Sequence, residues 1–116
     1  MKPARSPPDL SAISDPVVRS AVEALNSRDR KRWFWLFAEK PRFSDDGAPR
    51  EFAQWCDDEL FGSATAYIIS IDKAERGGLT FYASYHSDKW GDFQTFWKFV
   101  LEAGKISRLD VGATSY

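Results

Sequence analysis

The sequence has few of the residues that most often carry catalysis or metal binding. Among 116 residues it contains one cysteine, one histidine and one methionine. A single cysteine excludes a disulfide framework within the chain and is typical of a reducing compartment, so we expect a cytoplasmic protein. One histidine and one cysteine give no cluster with metal-ligand spacing, so we expect no metal site and no cofactor.

The sequence also lacks a strong net charge and long hydrophobic runs. Lys and Arg number 16 against 17 Asp and Glu, a formal net charge of -1, which argues against a nucleic-acid binder. No apolar run approaches the ~20 residues that a membrane span needs, so we expect no membrane insertion. There is no glycine-rich phosphate loop and no nucleophile elbow, which argues against nucleotide binding and serine hydrolase chemistry.

Aromatic residues are what the sequence has in excess. Nine Phe, five Trp and four Tyr make up 16% of the chain. Such side chains fill cores, line apolar ligand pockets and build protein interfaces. The composition therefore leaves these three uses open.

The order of sequence patterns predicts a short tail followed by one domain. Residues 1–14 are proline-rich with little apolar material, so we expect a flexible tail. Residues 15–116 form the single domain, which begins with Asp15 as a helix N-cap and Pro16 at the first helical position. A second helix is predicted from about Ser27 to Ala38, and a third from near Pro49 to a C-cap at Gly62.

Strand patterns occupy most of the remaining chain. A very short strand is expected at 42–44, followed by a turn at 45–47, and longer strands at 64–72, 79–87, 93–101 and 106–111. The sequence therefore predicts an α+β domain, with three helices packed on one face of an antiparallel sheet of four long strands plus one short strand.

Alternation along the strands sorts the aromatic residues into two faces. Phe81, Tyr85 and Trp97 lie on the more apolar face, which we expect to look toward the helices. Tyr82, His86 and Phe96 lie on the opposite face, which is too apolar for a purely solvated surface. We therefore expect this outer face to form a homodimer interface.

Three stretches in their order resemble the nuclear transport factor 2-like superfamily. They are NSRDRKRWFWLFAE at the joint of the first two helices, RFSDDG before the third, and FWKFVLEAGKISRLDV in the closing hairpin. The resemblance covers about residues 15–114. The superfamily includes SnoaL-like polyketide cyclases and ketosteroid isomerase. It implies a cone-shaped, cystatin-like fold with a curved sheet around an apolar pocket, often as a homodimer. Fold membership does not select a reaction.

The isomerase branch of that superfamily matches at one of its three catalytic positions. The resemblance places its catalytic base at Asp45. Its oxyanion-stabilising tyrosine falls at about Ala21, and its protonated acid falls at Thr95 or Phe96, none of which supplies the required group. This argues against ketosteroid isomerisation.

Asp45 is the candidate catalytic residue. A carboxylate at the mouth of an aromatic pocket suits a general base near neutral pH. The alternative is that Asp45, Asp46 and Gly47 simply form a turn, because Asp bonds its own backbone and Gly accepts a positive φ. The sequence leaves both interpretations open.

Aromatic residues are the candidates for ligand contact. Trp55, Tyr67, Tyr85 and Trp97 are expected to meet in the cone, with Trp33 behind them, although each ring alone could belong to an ordinary core.

Other candidate groups are assigned structural roles. His86 is expected at the surface or an interface rather than in a site, and Cys56 on the apolar stripe of the third helix is expected to be an inert core thiol. The acidic run 57–59 near the end of that helix is expected to form a solvated face or to pair with the basic run 28–32.

Three functions follow from these patterns. The first is the binding of a small lipophilic, cyclic ligand in an aromatic pocket. The second is an acid-base enzyme of the isomerase, cyclase or dehydratase type that uses Asp45 alone or with Tyr67 or Tyr85. The third is a non-catalytic, dimeric interaction module with a filled interior.

Overall fold

A computed structural model describes residues 7–116 and shows three α-helices on a six-stranded sheet. The elements are α1 (Pro16–Asn26), α2 (Arg30–Trp35), β1 (Phe37–Asp45), β2 (Ala48–Pro49), α3 (Phe52–Glu59), β3 (Ala66–Glu75), a 3-10 turn (Arg76–Gly78), β4 (Thr80–Ser87), β5 (Gly91–Glu102) and β6 (Lys105–Ala113). No helix in residues 7–116 is long and apolar enough to cross a membrane.

The six strands form one curved sheet in the order β2-β1-β6-β5-β4-β3. Every neighbouring pair is antiparallel except β1 and β6, which run parallel. This confirms the predicted α+β class and the predicted succession of four long strands.

The first helix begins where the sequence predicted. The Asp15 carboxylate accepts hydrogen bonds from the backbone N–H groups of Val17 and Val18 at 2.9 and 3.0 Å, and Pro16 occupies the first helical position. Val18 and Leu25 on its inner stripe are buried, which seats the helix on the concave face of the sheet.

The second helix and the first strand differ from the prediction. The helix was expected to continue to about Ala38, but it ends at Trp35, and the strand expected only at 42–44 begins at Phe37. Parallel pairing with β6 accounts for the difference, because Phe37 pairs with Ile106 and Arg42 with Arg108. The register shifts between these pairs, and Pro41 lies in this interruption, where its missing N–H costs no ladder bond.

The third helix begins later than predicted and ends without the predicted cap. It starts at Phe52 rather than near Pro49, and the Glu51 carboxylate accepts from the N–H of Gln54 at 2.6 Å. Its C-cap residue is Leu60, not Gly62.

Part of the predicted tail packs on the domain. Ile13 is fully buried, and a Cβ built on Gly78 would lie 2.6 Å from the Ile13 Cγ2 atom. The Asp15 N–H also donates to the carbonyl of Gly77 at 2.9 Å. The packed chain therefore includes Ile13, ahead of the predicted start at Asp15, because the turn after β3 offers a glycine surface that fits this side chain. Residues 1–6 lie outside the described range, so a tail there stays a prediction.

The two faces of the sheet are as the alternation predicted. Phe81, Tyr85 and Trp97 are buried beneath the helices. On the opposite face Tyr82 and Phe96 are half-buried and pair directly across β4 and β5.

Candidate functional site

One end of the concave sheet face holds a cavity of about 530 Å³. It lies between the end of β1, helix α3 and strands β4 to β6. It is lined by Asp45, Asp46, Arg50, Trp55, Glu59, Tyr85, Trp90, Phe93, Thr95, Trp97, Val111, Gly112 and Ala113. Five of these side chains are aromatic and three are carboxylic, so the cavity combines apolar walls with a few polar groups.

Asp45 is the last residue of β1, and its side chain reaches this cavity. The two loop residues of the β1–β2 hairpin are Asp46 and Gly47, whose φ angles of 52° and 82° are typical of a tight hairpin turn. Asp45 itself is a strand residue, and its Oδ2 accepts a hydrogen bond from the Trp55 indole N–H at 2.9 Å. Asp46 and Gly47 therefore form the turn, whereas Asp45 is the strand residue whose carboxylate reaches the cavity.

Trp55 is held in place from two sides. Helix α3 buries its ring against Phe43, with ring centroids 4.5 Å apart, while the indole N–H donates to Asp45. The hydrogen bond fixes both the ring and the carboxylate at the cavity wall.

Tyr85 brings a hydroxyl into the cavity. Only 6% of the residue is exposed, and the residue lines the cavity. Burial raises the pKa of Tyr85, and the negative charges of Glu59 and Asp45 raise it further. The hydroxyl is therefore protonated at neutral pH and available to a ligand.

Trp97 is oriented by a short chain of buried hydrogen bonds. Its indole N–H donates to the Thr95 hydroxyl at 2.8 Å, and that hydroxyl donates to the carbonyl of Ala83 at 2.8 Å. The Trp97 ring then packs against Tyr85, with centroids 5.8 Å apart. Hydrogen bonds as well as packing therefore hold the Trp97 ring in place at the floor of the cavity.

Trp90 and Glu59 form the rim of the cavity. Trp90 is 69% exposed, and its indole N–H donates to Glu59 Oε2 at 3.2 Å. The Lys89 ammonium lies 3.9 Å from the same carboxylate oxygen. The sequence missed this role of Glu59, because the acidic run in which it lies was expected to be solvated or paired. Asp57 does pair, with Arg30 at 2.8 Å.

Two of the five predicted ligand-binding rings do not line the cavity. Trp33 is fully buried in an aromatic group with Phe37, Phe52 and Phe61, which we call the packed cluster. Tyr67 pairs with His86 across β3 and β4, so it lies on the outer face. Its ring stacks on the His86 imidazole with centroids 4.8 Å apart. The register of β3 against β4, which the sequence does not reveal, decides this placement.

His86 and Cys56 lie away from the cavity. The two imidazole nitrogens of His86 contact the carboxylates of Asp88 and Asp92 at 2.6 Å each, and these bonds raise the pKa of the histidine. Burial raises the pKa of the Cys56 thiol to about 12, and its sulfur accepts from the Trp33 indole N–H at 3.4 Å. Residues 7–116 hold no group of three or more side chains that could bind a metal ion.

A larger surface groove, of about 660 Å³, lies between residues 7–11 and α1. Its polar side chains already hold the fold together. Arg19 donates twice to the carbonyl of Ile13, at 2.6 and 2.9 Å, and Asn26 bonds both the N–H and the carbonyl of Ile68 at 2.9 Å. The cavity at Asp45 is the better candidate because its polar groups converge on open space.

Known structures share this architecture although sequence comparison finds no relative. No family model matches the chain, and no curated protein matches it. A nuclear transport factor 2-like protein of unknown function from Cytophaga hutchinsonii superposes with a TM-score of 0.66 at 18% identity, covering 84% of this chain and 87% of that one.

Two further structures carry functional descriptions. A candidate polyketide cyclase from Sinorhizobium meliloti gives a TM-score of 0.62 at 17% identity, over 87% of this chain and 98% of that one. A candidate ketosteroid isomerase from Kribbella flavida gives 0.64 at 13% identity, over 92% and 82%. The chain therefore has the nuclear transport factor 2-like fold, as the sequence resemblance predicted.

Proposed function

We propose that this domain binds a small lipophilic, cyclic ligand in the cavity lined by Trp55, Tyr85 and Trp97. The observation that carries the proposal is the cavity itself. Its volume of about 530 Å³ falls within the range of roughly 300–1,000 Å³ that is typical of small-molecule sites. Rings on several sides can cover the faces of a cyclic ligand, and the carboxylates and the Tyr85 hydroxyl can orient it.

Preorganised walls support this function. Trp55 is bonded to Asp45, and Trp97 is bonded to Thr95, so neither indole has to be ordered when a ligand enters. Binding sites whose side chains are already fixed lose less conformational entropy on association. Of the structures with the same fold, the candidate polyketide cyclase is named for the formation of a ring and the candidate ketosteroid isomerase for a ring compound, which agrees with a cyclic ligand here.

Thermal-shift and fluorescence titrations with neutral steroid-like and polyketide-like compounds test the proposal. A binder should raise the melting temperature and change the tryptophan emission. Two exposed tryptophans provide a matched pair of variants, since Trp90 lies at the cavity rim and Trp35 lies outside it. Trp90→Ala should weaken binding about tenfold or more, in line with the loss of one anchoring ring, while Trp35→Ala should leave it unchanged. Equal loss in both variants, or no stabilising compound in the set, would overturn ligand binding at this cavity.

A second candidate function is acid-base catalysis on the bound ligand. The observation that favours it is that the Asp45 carboxylate and the Tyr85 hydroxyl reach the same cavity. Asp45 would remove a proton from the substrate as general base, and the protonated Tyr85 would donate a hydrogen bond to the oxygen on which charge develops. Tyr67, the other tyrosine considered, lies on the opposite face of the sheet.

Any turnover found with a binding compound allows this role to be tested. Asp45→Asn should lower kcat about 100-fold or more, the usual loss when a general base is removed. Tyr85→Phe should lower kcat by a larger factor than it raises KM, because the hydrogen bond from the hydroxyl strengthens as charge develops on the substrate oxygen. Turnover that survives Asp45→Asn would exclude Asp45 as the base.

Self-association through the outer sheet face is the third candidate function. Tyr82 and Phe96 pair across β4 and β5 on this face, and Val100 nearby is 46% exposed. His86 borders them with its two carboxylate partners, so the face has an apolar centre with charges of both signs around it, including Lys98. A two-fold dimer brings such a mixed face against itself. Light scattering at micromolar concentration should show twice the mass of the chain, and Phe96→Asp should reduce it to the monomer.

A further inference from the structure

The polar lining of the cavity is unbalanced in charge. It presents the carboxylates of Asp45, Asp46 and Glu59 but a single cationic side chain, the exposed Arg50. Asp46 is partly committed to the fold, since its Oδ1 accepts from the backbone N–H of Ala113 at 2.8 Å. Asp45 and Glu59 remain as the other two carboxylates of the lining.

The indole groups that bond Asp45 and Glu59 do not cancel the negative charge of either carboxylate. Asp45 is bonded by the indole N–H of Trp55 at 2.9 Å, and Glu59 by that of Trp90 at 3.2 Å. An indole N–H is a neutral donor, so it orients a carboxylate without cancelling its charge. Lys89, 3.9 Å from Glu59 and 42% exposed, is the nearest cation and is screened by water.

The rings around these carboxylates add attraction for a positive charge. Trp55, Tyr85, Trp90, Phe93 and Trp97 line the same space. The faces of aromatic rings carry partial negative charge, and cages of such rings bind alkylated ammonium groups. The Tyr85 hydroxyl, in a residue that is only 6% exposed and lines the cavity, gives such a ligand one further polar contact.

We propose that the preferred ligand is an organic cation, a tertiary or quaternary ammonium joined to an apolar ring. This inference rests on the proposed ligand-binding function and narrows it. The ring would lie against Trp97 and Phe93 on the cavity floor, and the ammonium would lie near Asp45 and Glu59 toward the rim. An anionic ligand would meet three carboxylates and a single cationic side chain in the lining and is disfavoured.

Four probes of nearly equal shape test the charge preference. They are benzyltrimethylammonium, protonated N,N-dimethylbenzylamine, the neutral isostere neopentylbenzene and the anion 3-phenylpropanoate. Their dissociation constants are measured by tryptophan fluorescence at low and high salt. The two cations should bind at least about tenfold more tightly than neopentylbenzene, the difference expected from cation–π and carboxylate attraction together. A quaternary ion that binds as well as the tertiary amine would assign the recognition to the rings, and a preference for the amine would assign it to an N–H bond with a carboxylate.

An isosteric pair of variants separates this charge effect from shape. Glu59→Gln keeps the acceptor for Trp90 but removes the charge, so cation binding should weaken about fivefold to tenfold while neopentylbenzene binding stays the same. Glu39→Gln makes the same change on the exposed part of β1, outside the cavity, and should alter neither. Tighter binding of the neutral isostere or of the anion would overturn the inference and leave the proposed function intact. No binding by any probe, together with no hit among the neutral ring compounds, would overturn both.

Discussion

Two groups of aromatic side chains lie on the concave side of the same sheet, one in the packed cluster and one around the cavity. In the packed cluster the ring centroids lie from 4.4 Å apart, for Phe37 and Phe52, to 6.4 Å apart, for Trp33 and Phe52, and Trp33 is fully buried. At the cavity the corresponding distances are 5.6 Å for Tyr85 and Phe93 and 5.8 Å between Tyr85 and Trp97. The ring spacing is therefore similar in the two groups, and they differ in what the rings border: Trp33 is surrounded by protein, whereas Tyr85, Phe93 and Trp97 line the cavity.

The polar partners of the tryptophans sharpen this contrast. Trp33 in the packed cluster donates to the sulfur of Cys56, a weak and buried acceptor. Trp55 donates to a carboxylate and Trp97 to a hydroxyl, both of which line the cavity. The number of rings is therefore a poor guide to function, and the convergence of polar groups on open space is a better one.

Truncation in the packed cluster should cause the largest effect. Trp33→Ala removes a fully buried ring and leaves a cavity that its neighbours cannot fill, so the free energy of unfolding should fall by about 3–5 kcal/mol. Urea denaturation followed by circular dichroism measures the loss. Trp33→Phe provides a milder change that keeps an aromatic ring in place, with an expected loss of about 1–3 kcal/mol.

Trp90→Ala at the cavity rim is the matched control for this truncation. Its side chain is mostly exposed, so stability should change by less than about 1 kcal/mol while ligand binding weakens. A comparable loss of stability in Trp90→Ala and Trp33→Ala would contradict the division into a packed and an open region.

The cavity floor depends on one hydroxyl, and its removal should have the next largest effect. Thr95→Val keeps the shape of the side chain but leaves the indole N–H of Trp97 and the carbonyl of Ala83 without their partner. Unsatisfied buried groups cost about 1–3 kcal/mol, and the freed Trp97 ring should also weaken ligand binding. Urea denaturation and fluorescence titration of the same sample measure the two effects. Ser107→Ala on β6, whose hydroxyl bonds a carbonyl at the surface, should cost much less.

Strand alternation predicted the inner face of β4 and β5 because a period of two fixes which side chains share a face once one of them is assigned. It placed Tyr85 and Trp97 correctly at the concave face. It could not place Tyr67, because the register shifts within the β3–β4 pairing, and pairing with His86 puts Tyr67 outside. Pairing between distant strands also set the length of β1, which the local pattern at Pro41 had obscured.

The candidate site was predictable only in part. Asp45 could be proposed because a short strand and a turn-forming Asp-Gly pair are local signals. Glu59 and Trp90 could not, because their contact joins residues 31 positions apart and appears only when α3 packs beside the β4–β5 turn. A cavity is a volume that packing leaves empty, and no residue pattern specifies it.

The thiol of Cys56, which bonds Trp33 of the packed cluster, should make the free energy of unfolding fall at alkaline pH. Burial raises the pKa of Cys56 from 9.0 to about 12, so above pH 9 the unfolded chain loses a proton that the folded chain keeps. Its contribution to stability is therefore complete below pH 9 and is lost as the pH rises toward 12, at up to about 1.4 kcal/mol per pH unit.

Urea denaturation at pH 8, 9 and 10 checks this dependence on Cys56. Cys56→Ala should show a shallower decline of stability with pH than the unmodified chain. Tyr85→Phe is the control, because the unfolded pKa of tyrosine is near 10 and its effect should begin about one unit higher. The same slope in Cys56→Ala and the unmodified chain would show that the thiol ionises as easily folded as unfolded.

The smallest stability effect should come from Asp45, the candidate catalytic residue. In Asp45→Asn the amide oxygen can still accept the Trp55 indole hydrogen bond at 2.9 Å, and the side chain keeps its size, so the free energy of unfolding should change by only about 0.5 kcal/mol. Binding of benzyltrimethylammonium should nevertheless weaken severalfold, because the negative charge is gone. Calorimetry of unfolding and fluorescence titration separate the two. A large loss of stability without a loss of cation binding would make Asp45 a residue of the fold, like those of the packed cluster, and would remove it from the site.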